Sequence, residues 1–328
     1  MLKVVLTDNE NKPIDIEKEV LNSLDAELIY LNTLDKEKII NFCKEADAIM
    51  CTYAKIDADV IGNLQKCKVI ARYGSGVDNV DIDFASKVGI WIANLPDYAV
   101  PDVSNHAIAL ILALNRKLLT YDREIRNGFW GFKIGVPITR LDNQVLGLIG
   151  FGNVGQCVAK KVQCLGLKVI SYDPYISNDL MNQLEVEKID TLTNLLSTSD
   201  IVSLHLPLNE YTKNILNEKE LKLMKRSSYL INTSRGGIVN EKALIKALKE
   251  KWISGAGVDV FEQEPINSNN ELLKLNNIIL TPHSAYYSED AQKIMRYQTA
   301  EAVVDVLQGR YPRSIFNKNL LIKYGKFN

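Results

Sequence analysis

Between Gln144 and Asp173 an apolar run, three spaced glycines and an isolated acid follow one another in an order that few folds accommodate. Gln144 to Ile149 (QVLGLI) has the continuous hydrophobicity of a parallel strand covered on both faces. Gly150, Gly152 and Gly155 then form GxGxxG where that strand must turn into a helix. Lacking side chains, they permit a tight turn, let backbone N–H groups approach a pyrophosphate, and let the helix pack close to the strand. The helix N-terminus offers the positive end of its dipole to the same anion. Cys157 to Leu167 continues at helical spacing, and Lys168 to Tyr172 (KVISY) returns as a second strand ending at Asp173. The glycine pattern alone also describes ordinary glycine-rich turns. The strand before it, the helix after it and an acid at the offset that suits ribose hydroxyls point to a dinucleotide site. A carboxylate at 173 repels a 2′-phosphate, and Pro174-Tyr175-Ile176 supplies no cation to receive one. The expected cofactor is NAD rather than NADP.

The rest of the chain suits that reading. Its 328 residues are comfortable for two domains. Lys and Arg number 39 against 40 Asp and Glu, a balance that favours neither nucleic acid nor a charged membrane surface as partner. Five scattered cysteines without a CxxC pair, and without histidine at metal-ligand spacing, indicate free thiols in a reducing compartment and no metal. The amino terminus turns polar after six residues, too soon for a signal peptide, and the run from Ala107 to Leu114 is too short to span a bilayer. A cytoplasmic protein is expected.

Short apolar strands at Lys3–Leu6, Glu27–Leu31, Ala48–Cys51, Lys68–Arg72 and Ile90–Ala93 alternate with helical stretches, the rhythm of a small doubly wound parallel sheet. A second glycine-rich turn, Gly74-Ser75-Gly76-Val77-Asp78-Asn79, lacks the third glycine and the downstream acid of a dinucleotide site. Read from its residues, it is a plain turn in preference to a nest of N–H groups for a small anion. Pro96 and Pro101 mark a break. A long helix then carries His106, Ala107, Leu110, Leu114 and Leu118 at helical spacing. The aromatic loop Gly128 to Val136 (GFWGFKIGV) suits a contact with another subunit, with a flap over its own core as the alternative. After KVISY come strands at Ile201–Leu206, Tyr229–Asn232, Gly255–Val260 and Ile278–Leu280, giving the six strands of a full Rossmann sheet. A last helix, Glu289 to Gln308, and a weakly patterned tail are expected to complete the first domain. The expected architecture is α/β, with a Rossmann domain over 100–286 inserted in a second doubly wound domain formed by 1–99 and 287–328.

Ligands of open parallel sheets bind beyond the carboxyl ends of the strands. The residues that follow those ends include Asp173, Pro207, Thr233-Ser234-Arg235, Asp259 to Glu264 and Thr281-Pro282-His283. One Arg, one Glu and one His therefore converge on one edge, and the trio suits hydride transfer to a 2-oxo acid. Hydride arriving at the carbonyl carbon builds charge on oxygen, which calls for a proton donor and a fixed cation. Three histidines exist. His106 lies on an apolar helical face and His205 inside an apolar strand, both positions that suit structural histidines. His283 is left as the donor. A free imidazole titrates near ~6.5, and a carboxylate beside it, as Glu264 could be, favours the charged form and fixes the tautomer. Arg235 can bind a carboxylate bidentately. Asp259 can cap a helix or accept the nicotinamide amide, with the second preferred.

RYGSGVDNVD, GLIGFGNVGQ, SYDPY, HLPL, NTSRGGIVNEKAL, GAGVDVFEQEP and TPHSAYYSE, in this order, make the chain similar to the D-isomer-specific 2-hydroxyacid dehydrogenases along nearly its whole length. The resemblance implies a Rossmann domain inserted in a flavodoxin-like substrate domain, and a homodimer formed through the Rossmann domain. It implies Arg235, Glu264 and His283 as catalytic residues, and the turn at Ser75-Gly76 as substrate-binding, against the plain-turn reading. The cofactor pocket would use Gly150, Gly152, Asn153, Val154, Gly155, Asp173, His205, Pro207, Thr212, Thr233 and Asp259. Glu264 stands where the formate dehydrogenase branch has Gln. The motifs look most like the branch of the C-terminal binding proteins, which implies as an alternative function an NADH-responsive protein-binding scaffold with vestigial dehydrogenase activity. That branch typically has Trp at the place of Tyr286, a residue expected in the substrate pocket, and the family commonly has an acid at the place of Asn105.

Overall fold

The structure, a computed structural model, describes residues 1–10 and 12–327, with the backbone alone for Asn143. Two compact units emerge: Met1–Ala99 with Ser288–Asn328, and Val100–Tyr287. Tyr287, expected with the first unit, falls in the second, and Asn328 lies outside the described residues.

The first unit opens with β1 (Leu2–Leu6), α1 (Asp15–Leu21), β2 (Ala26–Tyr30), α2 (Lys36–Cys43) and β3 (Ala48–Cys51). It continues with α3 (Ala58–Gly62), β4 (Val69–Arg72), α4 (Ile82–Val88) and β5 (Trp91–Ala93). The strands pair in parallel in the order β2-β1-β3-β4-β5, the flavodoxin-like order. Val4, Val5, Leu6, Ile49, Met50 and Ile70 are fully buried, which is why these strands read as unbroken apolar runs.

The second unit holds α5 (Val100–Asn115), α6 (Leu118–Arg126), β6 (Val145–Ile149), α7 (Asn153–Gln163), β7 (Lys168–Tyr172), α8 (Asn178–Gln183) and β8 (Glu187–Lys188). Then come α9 (Leu192–Thr198), β9 (Ile201–Leu204), α10 (Glu218–Leu223), β10 (Tyr229–Asn232), α11 (Glu241–Lys249), β11 (Gly255–Val258) and β12 (Ile278–Leu280). The parallel order β12-β11-β10-β9-β6-β7-β8 reverses direction beside β6. The sheet has seven strands where the sequence suggested six. The extra one, β8, is a two-residue polar edge strand, too short and too hydrophilic to show an apolar run. The helix expected to run through Leu118 breaks instead: Lys117 adopts a left-handed φ of 56°, α6 starts afresh, and Leu118 is exposed.

α12 (Glu289–Leu307) and α13 (Lys318–Lys323) return to the first unit. α12 packs on α1 and across β4. Between them sits an ion pair of a fully buried Glu17 with a partly exposed Arg296: Arg296 Nε donates to Glu17 Oε1 at 2.8 Å and its Nη2 to Oε2 at 2.5 Å, with Tyr73 Oη donating to Glu17 Oε1 at 3.0 Å. Tyr73 leads directly into the Gly74 turn, so this triad fixes where that turn starts. Removing one member of a buried pair leaves the other charge uncompensated. Glu17→Ala should lower the stability of the first unit by about 3 kcal/mol, read as a lower urea midpoint; a loss well below 1 kcal/mol would show that Arg296 finds water instead.

Candidate functional site

In the second unit the glycine turn is built as a cradle. Gly150, at φ 93°, has no room for a side chain because a Cβ there would run into the His205 carbonyl. A Cβ at Gly155 would lie 2.6 Å from the Gly150 carbonyl oxygen, so the first turn of α7 can lie directly on the strand end. Gly152 faces open space. Asn153 and Val154 form the start of α7, where N–H groups lack helical partners.

Asp173 sits at the end of β7, 9% exposed. Its Oδ2 accepts the Phe151 N–H at 2.8 Å and its Oδ1 the Tyr175 N–H at 2.9 Å. The carboxylate therefore also ties the glycine turn to the neighbouring strand, a bracing role that sequence alone did not show. Pro207 and Thr212 lie on one loop closed by the Thr212 hydroxyl donating to the Pro207 carbonyl at 2.6 Å. Thr233 lies just after β10, its buried Oγ1 without a partner among the described residues. Cradle, open face and unpartnered hydroxyl all lie at carboxyl ends of strands, and they fit a nicotinamide dinucleotide.

His205 follows β9, its Nε2 3.0 Å from Ser203 Oγ. Ser203 was not foreseen, though residues two apart on a strand share a face. Burial pushes the His205 imidazole from 6.5 down to about 4. The folded protein thus holds this ring neutral while the unfolded chain, near ~6.5, takes up a proton. Stability is therefore drained as pH falls from about 6.5 to about 4, and not further below. Thermal melting of wild type and His205→Asn between pH 7 and pH 4 should show the steeper acid loss in the wild type; parallel curves would refute this.

The reactive-looking groups gather beyond β10, β11 and β12. His283 Nδ1 lies 2.6 Å from Glu264 Oε2, and Glu264 Oε1 accepts the Phe261 N–H at 2.9 Å. Burial works to raise the Glu264 carboxyl, but His283, the Phe261 N–H and the charge of Arg235 together outweigh it and hold it below the usual carboxylate range. Arg235 Nη1 donates to its neighbour's carbonyl, that of Ser234, at 2.8 Å, and the Asn232 side chain donates to the Arg235 carbonyl at 2.9 Å. Gly236 lets this loop lie against the Phe261–Glu262 backbone, where a Cβ would collide with the Phe261 carbonyl. Tyr286 presents its ring to that of His283 at 82°, centroids 6.1 Å apart.

His283 itself has φ 51°, a left-handed conformation that is costly for a side chain of this size and persists only where neighbours over-determine it. Asp259, fully buried, supplies the restraint. Its carbonyl accepts the His283 N–H at 2.7 Å. Its Oδ1 accepts from Ser284 N and its Oδ2 from Ala285 N, both at 2.9 Å. Asn105 accepts from Lys161 Nζ at 2.7 Å, as does Ser104 Oγ at 2.7 Å, so the amide keeps an acceptor there without a charge. Ser75 and Gly76 belong to the first unit, where the Ser75 carbonyl accepts from Asn94 at 2.7 Å.

A parallel sheet whose order reverses beside a glycine-built anion cradle defines a dinucleotide-binding α/β protein. Residues 108–285 match the family described as D-isomer specific 2-hydroxyacid dehydrogenase, NAD binding domain. A glyoxylate reductase of Korarchaeum cryptofilum is 39% identical over 292 residues, 87% of each chain. A D-3-phosphoglycerate dehydrogenase of Methanocaldococcus jannaschii is 36% identical over 97% of this chain and 60% of its own length. The crystal structure of D-lactate dehydrogenase from Aquifex aeolicus, complexed with NAD and lactic acid, superposes with a TM-score of 0.84 at 29% identity, covering 93% of this chain and 96% of that one. The chain belongs to the D-isomer-specific 2-hydroxyacid dehydrogenase family, and NAD is its cofactor.

Proposed function

We propose that the protein reduces a small, unphosphorylated 2-oxo acid to the D-2-hydroxy acid, with His283 as the acid. The observation that carries this is the 2.6 Å contact between His283 Nδ1 and Glu264. It engages one ring nitrogen and leaves Nε2 for a substrate oxygen. Bound NADH supplies the hydride. His283 gives its proton to the oxygen as charge builds there, and Glu264, kept ionised, stabilises the imidazolium that precedes this step. Arg235 holds the substrate carboxylate, and Tyr286 borders the side-chain end of the substrate. Glyoxylate is the first candidate, because the Korarchaeum relative carries that name. Asp173 at the ribose favours NAD over NADP, since its carboxylate repels a 2′-phosphate. No observation on the site favours the alternative of a protein-binding scaffold.

His283→Asn should lower kcat by roughly 10²- to 10⁴-fold with NADH binding nearly intact; unchanged turnover would remove it as the acid. Glu264→Gln should move the alkaline limb of the rate profile for reduction to lower pH, because the protonated ring loses its ionic partner. A limb that stays in place would detach Glu264 from the proton transfer.

We further infer a homodimer formed through the second unit, working in the cytoplasm, where the five unpaired thiols remain reduced. Trp130 is 90% exposed and Phe132 71%, with Phe129 and Ile125 nearby also exposed, an apolar patch that water disfavours. The double substitution Trp130→Ser with Phe132→Ser should shift the sedimenting species from dimer to monomer; an unchanged dimer would move the contact elsewhere.

A further inference from the structure

The turn that carries His283 is tethered a second time, from α5. A Cβ at Gly257 would lie 3.1 Å from Leu110 Cβ, so the bare backbone of β11 lets α5 settle low over the sheet. One helical turn before Leu110, His106 thereby reaches the end of β12. Its Nε2 lies 3.0 Å from Thr281 Oγ1, and Thr281 Oγ1 donates to Asp259 Oδ1 at 2.6 Å. His106 Nε2 stands 3.7 Å from Asp259 Oδ1, beyond hydrogen-bond range, so Thr281 is the link between them.

The polarity of this chain follows from counting hydrogens. A hydroxyl has one proton, and that of Thr281 points at Asp259, whose carboxylate already takes the N–H groups of Ser284 and Ala285. Thr281 can then only accept from His106, so Nε2 of His106 carries the hydrogen. The chain runs from His106 Nε2–H through Thr281 to Asp259, and on to the three peptide groups that hold His283 in its left-handed conformation.

We propose that His106 and Thr281 are positioning residues for His283, holding Asp259 in the orientation that aims the imidazole. The proposal rests on the reading of His283 as the acid. An apolar side chain at 106 would fill the same space beneath α5, but it could not orient the Thr281 hydroxyl. Thr281 is fixed at the end of the strand next to β11, so a loss of either link frees the carboxylate to rotate and the His283 turn to relax. Displacing a catalytic group by about 1 Å can cost on the order of 10²-fold in rate.

The test uses the full chain, with NADH and the fastest substrate from a panel of glyoxylate, hydroxypyruvate and pyruvate. Thr281→Val and His106→Leu should each lower kcat by about 10-fold or more, with NADH affinity, read by fluorescence quenching, unchanged within about 2-fold. Thr281→Ser and His106→Gln, which keep the hydroxyl and an N–H donor, should recover most of the rate. The double variant Thr281→Val with His106→Leu should be no slower than the slower single variant, since members of one chain are not additive. Multiplying losses, or Val and Leu variants within about 2-fold of wild type, would overturn the proposal. So would a His106→Gln variant as slow as His106→Leu, a comparison that stands if Thr281→Val does not fold. His283→Asn, assayed alongside, separates the two readings: if it lowers turnover by roughly 10²-fold or more while Thr281→Val stays within about 2-fold of wild type, only the positioning role falls, and if it leaves turnover unchanged, the acid assignment itself falls.

Discussion

Every strand of the second unit runs in the same direction, and that constraint puts all the polar residues that follow strand ends on one edge of the sheet. Arg235, Glu264 and His283 are separated by 29 and 19 residues in the chain, yet they follow three neighbouring strands, β10, β11 and β12. No turn chemistry has to bring them together. The register of the parallel ladder does so, as in the pairing of Asn232 with Val258 and of Val258 with Leu280. The hydrogen bonds of that ladder locate the site to within a few residues, and side chains refine it.

Refinement falls largely to Asp259. Its carboxylate and carbonyl take peptide groups on both sides of His283 and the hydroxyl of Thr281. A fully buried acid needs such donors, because desolvation of a charge is costly unless hydrogen bonds replace the water. The same bonds that satisfy it hold a histidine in a backbone conformation it would otherwise leave. Stability of the buried charge and precision at the site are one arrangement seen from two ends.

Glycines do comparable work through absence. At 150 and 155 they allow strand, helix and the His205 loop to approach more closely than any Cβ permits, at 236 they seat the Arg235 loop on Phe261, and at 257 they let α5 lie low on β11. Electrostatic tuning differs between the two histidines that follow strands. His205 is kept neutral by burial, whereas His283 meets a carboxylate that stays ionised, so one ring is suited to packing beside a cofactor and the other to carrying charge.

Periodicity and glycine spacing determined much of this protein without any coordinates. The apolar runs from Val4 to Ile279 announced two parallel sheets because strands covered on both faces must be continuously hydrophobic. GxGxxG with Asp173 pointed to a dinucleotide cradle, and at 150 and 155 only glycine satisfies the steric limits. Short-range signals failed where an element had none: β8 is two polar residues at an edge, and the helix break at Lys117 depends on a left-handed residue that composition does not mark. Tertiary structure alone decided the rest. That Asp173 braces Phe151, and that His106 bonds Thr281 across 175 residues of chain, are contacts set by how sheet and helix pack. Their physical reason is that a hydrogen bond needs its partners within about 3 Å, a distance that only the assembled layers determine.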